Sequence, residues 1–165
     1  MAEPAVRLLF VCMGNICRSP TAEGVMAHLL EREGLTDAVA IDSAGTGGWH
    51  VGSPPDERST SAAATRGIAL RGAARQVRRS DFERFDLLLC ADADNLRDVR
   101  ALAPDGDARA KVRRLREFDP LARASGDLDI PDPYFGGARG FEDVLDLVER
   151  ACQGLLEDLR ERGLV

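Results

Sequence analysis

Short apolar runs alternate along this chain with longer segments whose apolar residues recur every three or four positions. The first run covers residues 6–12, apolar apart from Arg7, and reads as a buried strand. A brief polar loop follows. Ser19-Pro20 then suits a helix start, with Ser19 as cap and Pro20 in the first position. Ala22, Val25, Met26, Leu29 and Leu30 fall on one face of that helix, and Gly34 ends it. Val39-Ala40-Ile41 is a second strand. Residues 43–55 are glycine-rich, carry Trp49 and His50, and read as a loop. A helix is expected from Asp56 to Arg66, stopped by Gly67. Ser80 to Glu83 has the spacing of a capping box on a short helix.

Phe85 to Cys90 is apolar apart from Asp86, as in a central parallel strand, and Asp92 sits just beyond it. Ala93 to Ala103 reads as a helix broken by Pro104-Asp105-Gly106. Val112 to Phe118 reads as an edge strand interrupted by Arg113, Arg114 and Arg116. Asp119 to Gly140 is a long irregular stretch, and stretches of that length usually have a job. The clearest helix is the last, Phe141 to Arg162, where Val144, Leu145, Val148, Cys152, Leu155, Leu156 and Leu159 continue one stripe from Phe141. The alternation predicts an α/β fold. It is one domain over residues 1–165, with a four-stranded parallel sheet, helices on both faces, and a phosphate-binding loop after the first strand.

Composition narrows the function classes. The 165 residues suffice for one packed core. A net charge of −6 argues against nucleic acid as a partner, though a local site can still be positive. Lys111 is the only lysine among 22 basic residues, which reads as a compositional bias rather than a binding signal. No run of eighteen apolar residues suggests a membrane span, and the first residues lack the pattern of a signal peptide. The expected location is cytoplasmic, with signal-independent secretion left open, and the expected state is a monomer. Cys12, Cys17, Cys90 and Cys152 form no C-x-x-C pair, and only His28 and His50 offer imidazoles. Neither a metal site nor any other cofactor is expected.

The chemistry concentrates where the first strand ends. A strand, a short loop and a helix N-terminus together aim backbone N–H groups and a helix dipole at one point, which suits phosphate. Here the loop has Cys12 at its floor and Arg18 beside it. The amides, the dipole and Arg18 each favour a thiolate on Cys12, a nucleophile aimed at bound phosphorus. Arg18 can grip two phosphate oxygens with its planar fork. Ser19 can hydrogen-bond the sulfur and help it leave in a second step. A departing oxyanion needs a proton, and Asp132, held between Pro131 and Pro133, is the candidate acid. Once ionised, it could activate the water that hydrolyses a phosphocysteine.

The ordered matches Val11-Cys12-x5-Arg18-Ser19-Pro20, Asp42-Ser43-Ala44-Gly45-Thr46, Trp49-His50-Val51-Gly52 and Asp132-Pro133-Tyr134 resemble the low-molecular-weight protein tyrosine phosphatases of bacterial type. The resemblance covers essentially the whole chain. It implies hydrolysis of protein phosphotyrosine, with Cys12 as nucleophile, Arg18 as phosphate clamp and Asp132 as acid and then base. It implies a phosphate loop of Met13, Gly14, Asn15, Ile16 and Cys17, braced by Asn15, Ser19 and Ser43. Met13, Trp49 and Tyr134 would line the pocket around an aromatic ring, no cofactor would be needed, and the partners would be phosphotyrosine-containing proteins. Three positions depart from the family's habit: Ala91 before Asp92, Ala73 before Ala74-Arg75-Gln76, and Phe135 after Tyr134.

Plainer readings stand beside these. Cys12 alone could be a core thiol, and Trp49 could be tucked inward. Cys17 could pack, or could form a reversible disulfide with Cys12. Cys90 and Cys152 read as core residues, His28 as a solvated position on its helix, and His50 as a brace beside Trp49. Asp92 could cap the following helix or act as a second acid. Two other functions compete: a thioredoxin-coupled arsenate reductase, for which Cys90 lacks a second cysteine a few residues on, and a non-enzymatic phosphate-binding or redox-sensing module.

Overall fold

The computed structural model describes residues 3–165, and its order of elements follows the apolar pattern. Strand β1 (Val6–Cys12) leads through a loop to helix α1 (Arg18–Arg32), and β2 (Val39–Gly45) follows. Helices α2 (Glu57–Ala64) and α3 (Asp81–Arg84) precede β3 (Leu87–Cys90). Then come α4 (Ala93–Leu102), α5 (Gly106–Ala110), β4 (Val112–Arg114), a 3₁₀ turn at Leu115–Phe118, α6 (Pro120–Ser125) and α7 (Ala138–Glu161). The four strands are all parallel and lie in the order β2-β1-β3-β4. This is the expected single-domain α/β architecture.

Alternation along β1 divides the core in two, because successive side chains leave a strand on opposite faces. Leu8, Phe10 and Cys12 join the cluster built with α1 and α7. Leu9 and Val11 join the cluster that contains Phe82 of α3, Val99 of α4 and Ala108 of α5. On α7, Val144, Leu145, Val148, Ala151, Cys152, Leu155, Leu156 and Leu159 are all buried. Cys12 therefore points toward α1 from the carboxyl end of a central strand, where ligands bind in sheets of this kind.

Several boundaries differ from the sequence reading, each for a local reason. β2 runs on to Gly45, so Ser43 lies inside the strand rather than in a loop. α1 begins at Arg18 with Cys17 as its uncapped N-cap residue, because the Ser19 hydroxyl turns to Cys12 and Ala44 instead. Pro20 is consequently the third helical residue. The capping box at Ser80 does not form; Asp81 is fully buried and accepts from Arg78 N–H and the Arg75 side chain. β4 ends at Arg114, where the Glu117 carboxylate takes the Arg114 N–H and the chain enters the 3₁₀ turn. Two short helices escaped periodicity. Asp105 caps α5 through Ala108 N–H, and Asp119 caps α6 through Leu121 N–H. α2 ends at Ala64, short of Arg66, and α7 starts three residues before Phe141.

One contact sets how closely α7 can approach. A Cβ on Gly154 would stand 1.9 Å from the Phe118 carbonyl oxygen, a backbone atom of the 3₁₀ turn. Alanine in place of glycine within a helix normally gains about 1 kcal/mol. Here forced repacking, at about 1–3 kcal/mol or more, outweighs that gain. Gly154→Ala should lower the urea midpoint, and a variant more stable than the wild type would show that α7 is not held at this distance.

Candidate active site

The loop between β1 and α1 turns through Asn15, which has φ +56°, the left-handed region that disfavours most side chains. Its own amide stabilises that turn. Asn15 Nδ2 donates to Ser19 Oγ at 2.8 Å and to Ser43 Oγ at 3.0 Å, and Oδ1 accepts from Arg75 N–H at 2.9 Å. The loop is also tied to β2 and the residues after it. Thr46 N–H donates to the Cys12 carbonyl and Gly47 N–H to that of Met13, both at 2.9 Å. Gly45 allows this approach, since a Cβ there would stand 2.7 Å from the Met13 oxygen.

Cys12 Sγ lies 3.0 Å from Ser19 Oγ and accepts from Asn15 N–H at 3.3 Å. Arg18 is buried, and its Nη1 donates to Asp92 Oδ2 at 2.6 Å and to the Ile130 carbonyl at 2.8 Å. Its Nη2 stands 3.9 Å from Asp132 Oδ2. Burial alone would draw the guanidinium pKa down, but Cys12, Asp92 and Asp132 outweigh it and hold the group above its ordinary value. Asp92 uses both oxygens: Oδ1 caps α4 by accepting from Asn95 N–H at 2.8 Å, while Oδ2 anchors Arg18. It is thus a cap, as the sequence suggested, and also an anchor the sequence reading missed. The Asp-after-strand position was the available signal.

Above the loop lies a cleft of about 280 Å³. Cys12, Met13, Gly14, Ile16, Cys17, Arg18, Trp49, Asp132 and Tyr134 line it. Asn15, Ser19 and Ser43 do not; they lie behind the loop and hold it. His50 and Phe135 complete the lining and had not been placed there from sequence. Trp49 is 74% exposed, which removes the core reading. Asp132 accepts the Tyr134 N–H through Oδ1 at 3.0 Å, and the Tyr134 ring meets Phe135 edge-on at 4.8 Å. The mouth is therefore aromatic and the floor carries sulfur and guanidinium.

A sequence model described as low molecular weight phosphotyrosine protein phosphatase matches residues 7–164. The chain belongs to this family. A low molecular weight protein-tyrosine-phosphatase of Streptomyces coelicolor is 53% identical over 94% of each chain. Among solved structures, a protein tyrosine phosphatase of Entamoeba histolytica with Hepes in its active site superposes with a TM-score of 0.90. It is 37% identical, and the match covers 96% of this chain and 99% of that one. A Drosophila arginine phosphatase also shares the fold, with a TM-score of 0.83, 30% identity and coverage of 92% and 96%.

The phosphatase carries two thiols in one loop with different surroundings. Cys12 Sγ accepts from the Asn15 N–H and lies within hydrogen-bond distance of the Ser19 hydroxyl. Cys17 is pushed up to about 12 by burial, with Asp56, Cys12 and Asp132 adding to the rise and a hydrogen bond with Ser59 opposing it. Burial likewise raises Cys90 and Cys152, and all four thiols are free. Cys90 lies fully buried in the sheet and is not among the residues that line the cleft. No helix among the described residues is long and apolar enough to cross a membrane.

The sign of the Cys17 shift makes a pH test. A thiol held up to about 12 stays protonated, and inert to alkylation, at pH values where an unfolded cysteine, near ~8.5, has already ionised. Iodoacetate at pH 7 to 9 should carboxymethylate the native protein at Cys12 alone, with phosphate slowing the reaction, and label all four cysteines once urea is added. Native labelling of Cys17 at a comparable rate would contradict the assignment.

Proposed function

We propose that this phosphatase hydrolyses phosphotyrosine on proteins through a phosphocysteine on Cys12. The observation that carries the reading is the convergence of Cys12 Sγ, the Arg18 guanidinium and the Asp132 carboxyl on one cleft with aromatic walls. In the first step the Cys12 thiolate attacks phosphorus and the bond from phosphorus to the aryl oxygen breaks. Asp132, entering as the acid, gives its proton to the leaving oxygen. Arg18 and the loop amides hold the equatorial oxygens through the displacement, the kind of preorganised charge that dominates such catalysis. In the second step Asp132, now a carboxylate, takes a proton from water as that water attacks phosphorus. The P–S bond breaks, inorganic phosphate forms, and the sulfur leaves as a thiolate hydrogen-bonded by Ser19. Asn15 and Ser43 hold the loop in shape throughout.

The walls favour an aryl group. Met13, Ile16, Trp49 and Tyr134 offer apolar and aromatic surface to a phenyl ring, whereas the N–H groups of a phosphorylated guanidine would face them without acceptors. Asp132 is the only carboxylate lining the cleft among the described residues, and its role is already taken. One chain supplies every lining residue, which suits a monomer acting on phosphotyrosine proteins. Four free thiols suit a reducing, cytoplasmic setting.

Steady-state kinetics on 4-nitrophenyl phosphate test the assignments. Cys12→Ser should lower kcat by more than about 10³-fold, the scale of removing a nucleophile. Asp132→Asn should cost about 10²–10⁴-fold, and more for phenyl phosphate, whose leaving group needs the proton most. Retained turnover in Cys12→Ser would sink the mechanism, and phosphoarginine hydrolysed faster than phosphotyrosine would sink the substrate class.

A further inference from the structure

Glu23 lies on α1 behind the catalytic loop, half-buried, and the mechanism above gives it no task. Its Oε1 accepts from the Ser43 hydroxyl at 2.6 Å. That contact has a direction. A hydroxyl owns one proton, so Ser43 spends it on Glu23 and offers only lone pairs to Asn15 Nδ2, 3.0 Å away. The far end of the Asn15 amide is fixed as well, because Arg75 N–H donates to Oδ1. The amide nitrogen therefore faces both serines, and its second proton goes to Ser19 Oγ at 2.8 Å. Ser19 receives that bond and keeps its own proton to donate. Two acceptors are within reach: Cys12 Sγ at 3.0 Å and the Ala44 carbonyl at 3.5 Å, the latter at the limit of a hydrogen bond. The proton belongs on the sulfur.

We infer that Glu23 is a positioning residue of the phosphatase reaction: by accepting the Ser43 proton it orders the chain Ser43, Asn15, Ser19 so that the Ser19 hydroxyl donates to the Cys12 sulfur. The inference rests on the reading of Cys12 as nucleophile. Its consequence falls on the second step, where the sulfur leaves as a thiolate and a donated hydrogen bond stabilises the leaving group. Without the acceptor, Ser43 is free to turn its proton toward Asn15. The Asn15 nitrogen loses an acceptor, and the order that keeps the Ser19 proton on sulfur is lost. A half-buried carboxylate is expensive to keep: burial pushes the Glu23 carboxyl up, and the Ser43 hydrogen bond only partly offsets this. Such an expense is expected where a group serves function rather than stability.

The experiment separates an acceptor role from a packing role. Glu23→Met keeps the length of the side chain and removes the acceptor; Glu23→Gln keeps a carbonyl that can accept from Ser43. On 4-nitrophenyl phosphate, Glu23→Met should lower kcat by about tenfold with KM within about twofold, and show a burst of nitrophenol followed by slow turnover. Glu23→Gln should recover to within about threefold of the wild type. In a Ser43→Ala background, Glu23→Met should change kcat by less than about twofold, since the hydroxyl it directs is gone. An unchanged kcat in Glu23→Met, no recovery in Glu23→Gln, or the same loss in both backgrounds would overturn the inference. Should Glu23→Met fail to fold, neutron diffraction on the deuterated wild type decides: deuterium on Ser43 facing Glu23 and on Ser19 facing Cys12 supports the order, and either facing elsewhere refutes it. Cys12→Ser, run alongside, tests the nucleophile separately, because turnover there defeats the mechanism whatever Glu23 does.

Discussion

The site depends on one residue held in a conformation it would not choose. A loop that gathers backbone N–H groups around an anion must curl inward over a few residues. Here the curl passes through Asn15 at φ +56°. A non-glycine residue in that region costs of order 1–3 kcal/mol and persists only where its surroundings insist on it. They insist through a side-chain amide with both donors and its acceptor engaged, to Ser19, Ser43 and Arg75. Asparagine suits the position twice over, since it tolerates the left-handed region better than most residues and its short amide reaches backbone and side chains alike.

The brace works because its partners sit on rigid elements. Ser43 lies inside β2, which pairs with β1 along its whole length, so the brace and Cys12 belong to one sheet. Arg75 presents its backbone N–H from an irregular segment, but its guanidinium forks to Asp42 at 3.0 and 3.2 Å and to the buried Asp81 at 3.1 Å. Gly45 N–H to the Arg75 carbonyl and Val77 N–H to that of Gly45 stitch the same segment to β2. On the other side of the cleft, the Ile130 carbonyl and Asp92 hold Arg18, and Ile130 N–H is itself bonded to the Ala91 carbonyl at the end of β3. The two core clusters fix the sheet, and the sheet fixes the distance between the two halves of the site.

Much of this was legible in the chain. Apolar runs located the first three strands, the arginine-interrupted stretch from Val112 located the fourth, and a cysteine at the end of the first, six residues before an arginine, pointed to the chemistry. What was not legible has physical causes. Helices α5 and α6 span five and six residues, too few for a period of 3.6 to declare itself, and their aspartate caps looked like loop residues. Ser19 has the sequence habit of a cap, yet its hydroxyl found a better partner in a sulfur only the fold brings near. Arg75 acts on the site through a main-chain N–H, which no side-chain pattern can announce. Glu23 looked like one more charged position on a helix face, and only the placement of Ser43 in β2 shows what it accepts.

The two loop cysteines show how finely such a fold separates like groups. Both are buried, and they stand five residues apart in the same turn. Cys12 closes a central strand, so its sulfur faces the Asn15 amide, the Ser19 hydroxyl and the opening of the cleft. Cys17 precedes α1 and packs beside Ile16, Ala74 and Phe141, where burial, and after it Asp56 and Asp132, disfavour a charge on its sulfur against the pull of a Ser59 hydrogen bond. Residue type is identical and burial nearly so. The difference between them is therefore one of balance: Cys12 Sγ accepts the Asn15 N–H beside the Ser19 hydroxyl, whereas at Cys17 the Ser59 hydrogen bond is outweighed by burial and the nearby carboxylates. On the inferred proton order, the hydrogen bonds behind the loop, down to the Glu23 carboxylate that takes the Ser43 proton, shape the Cys12 sulfur as much as the loop's own composition does.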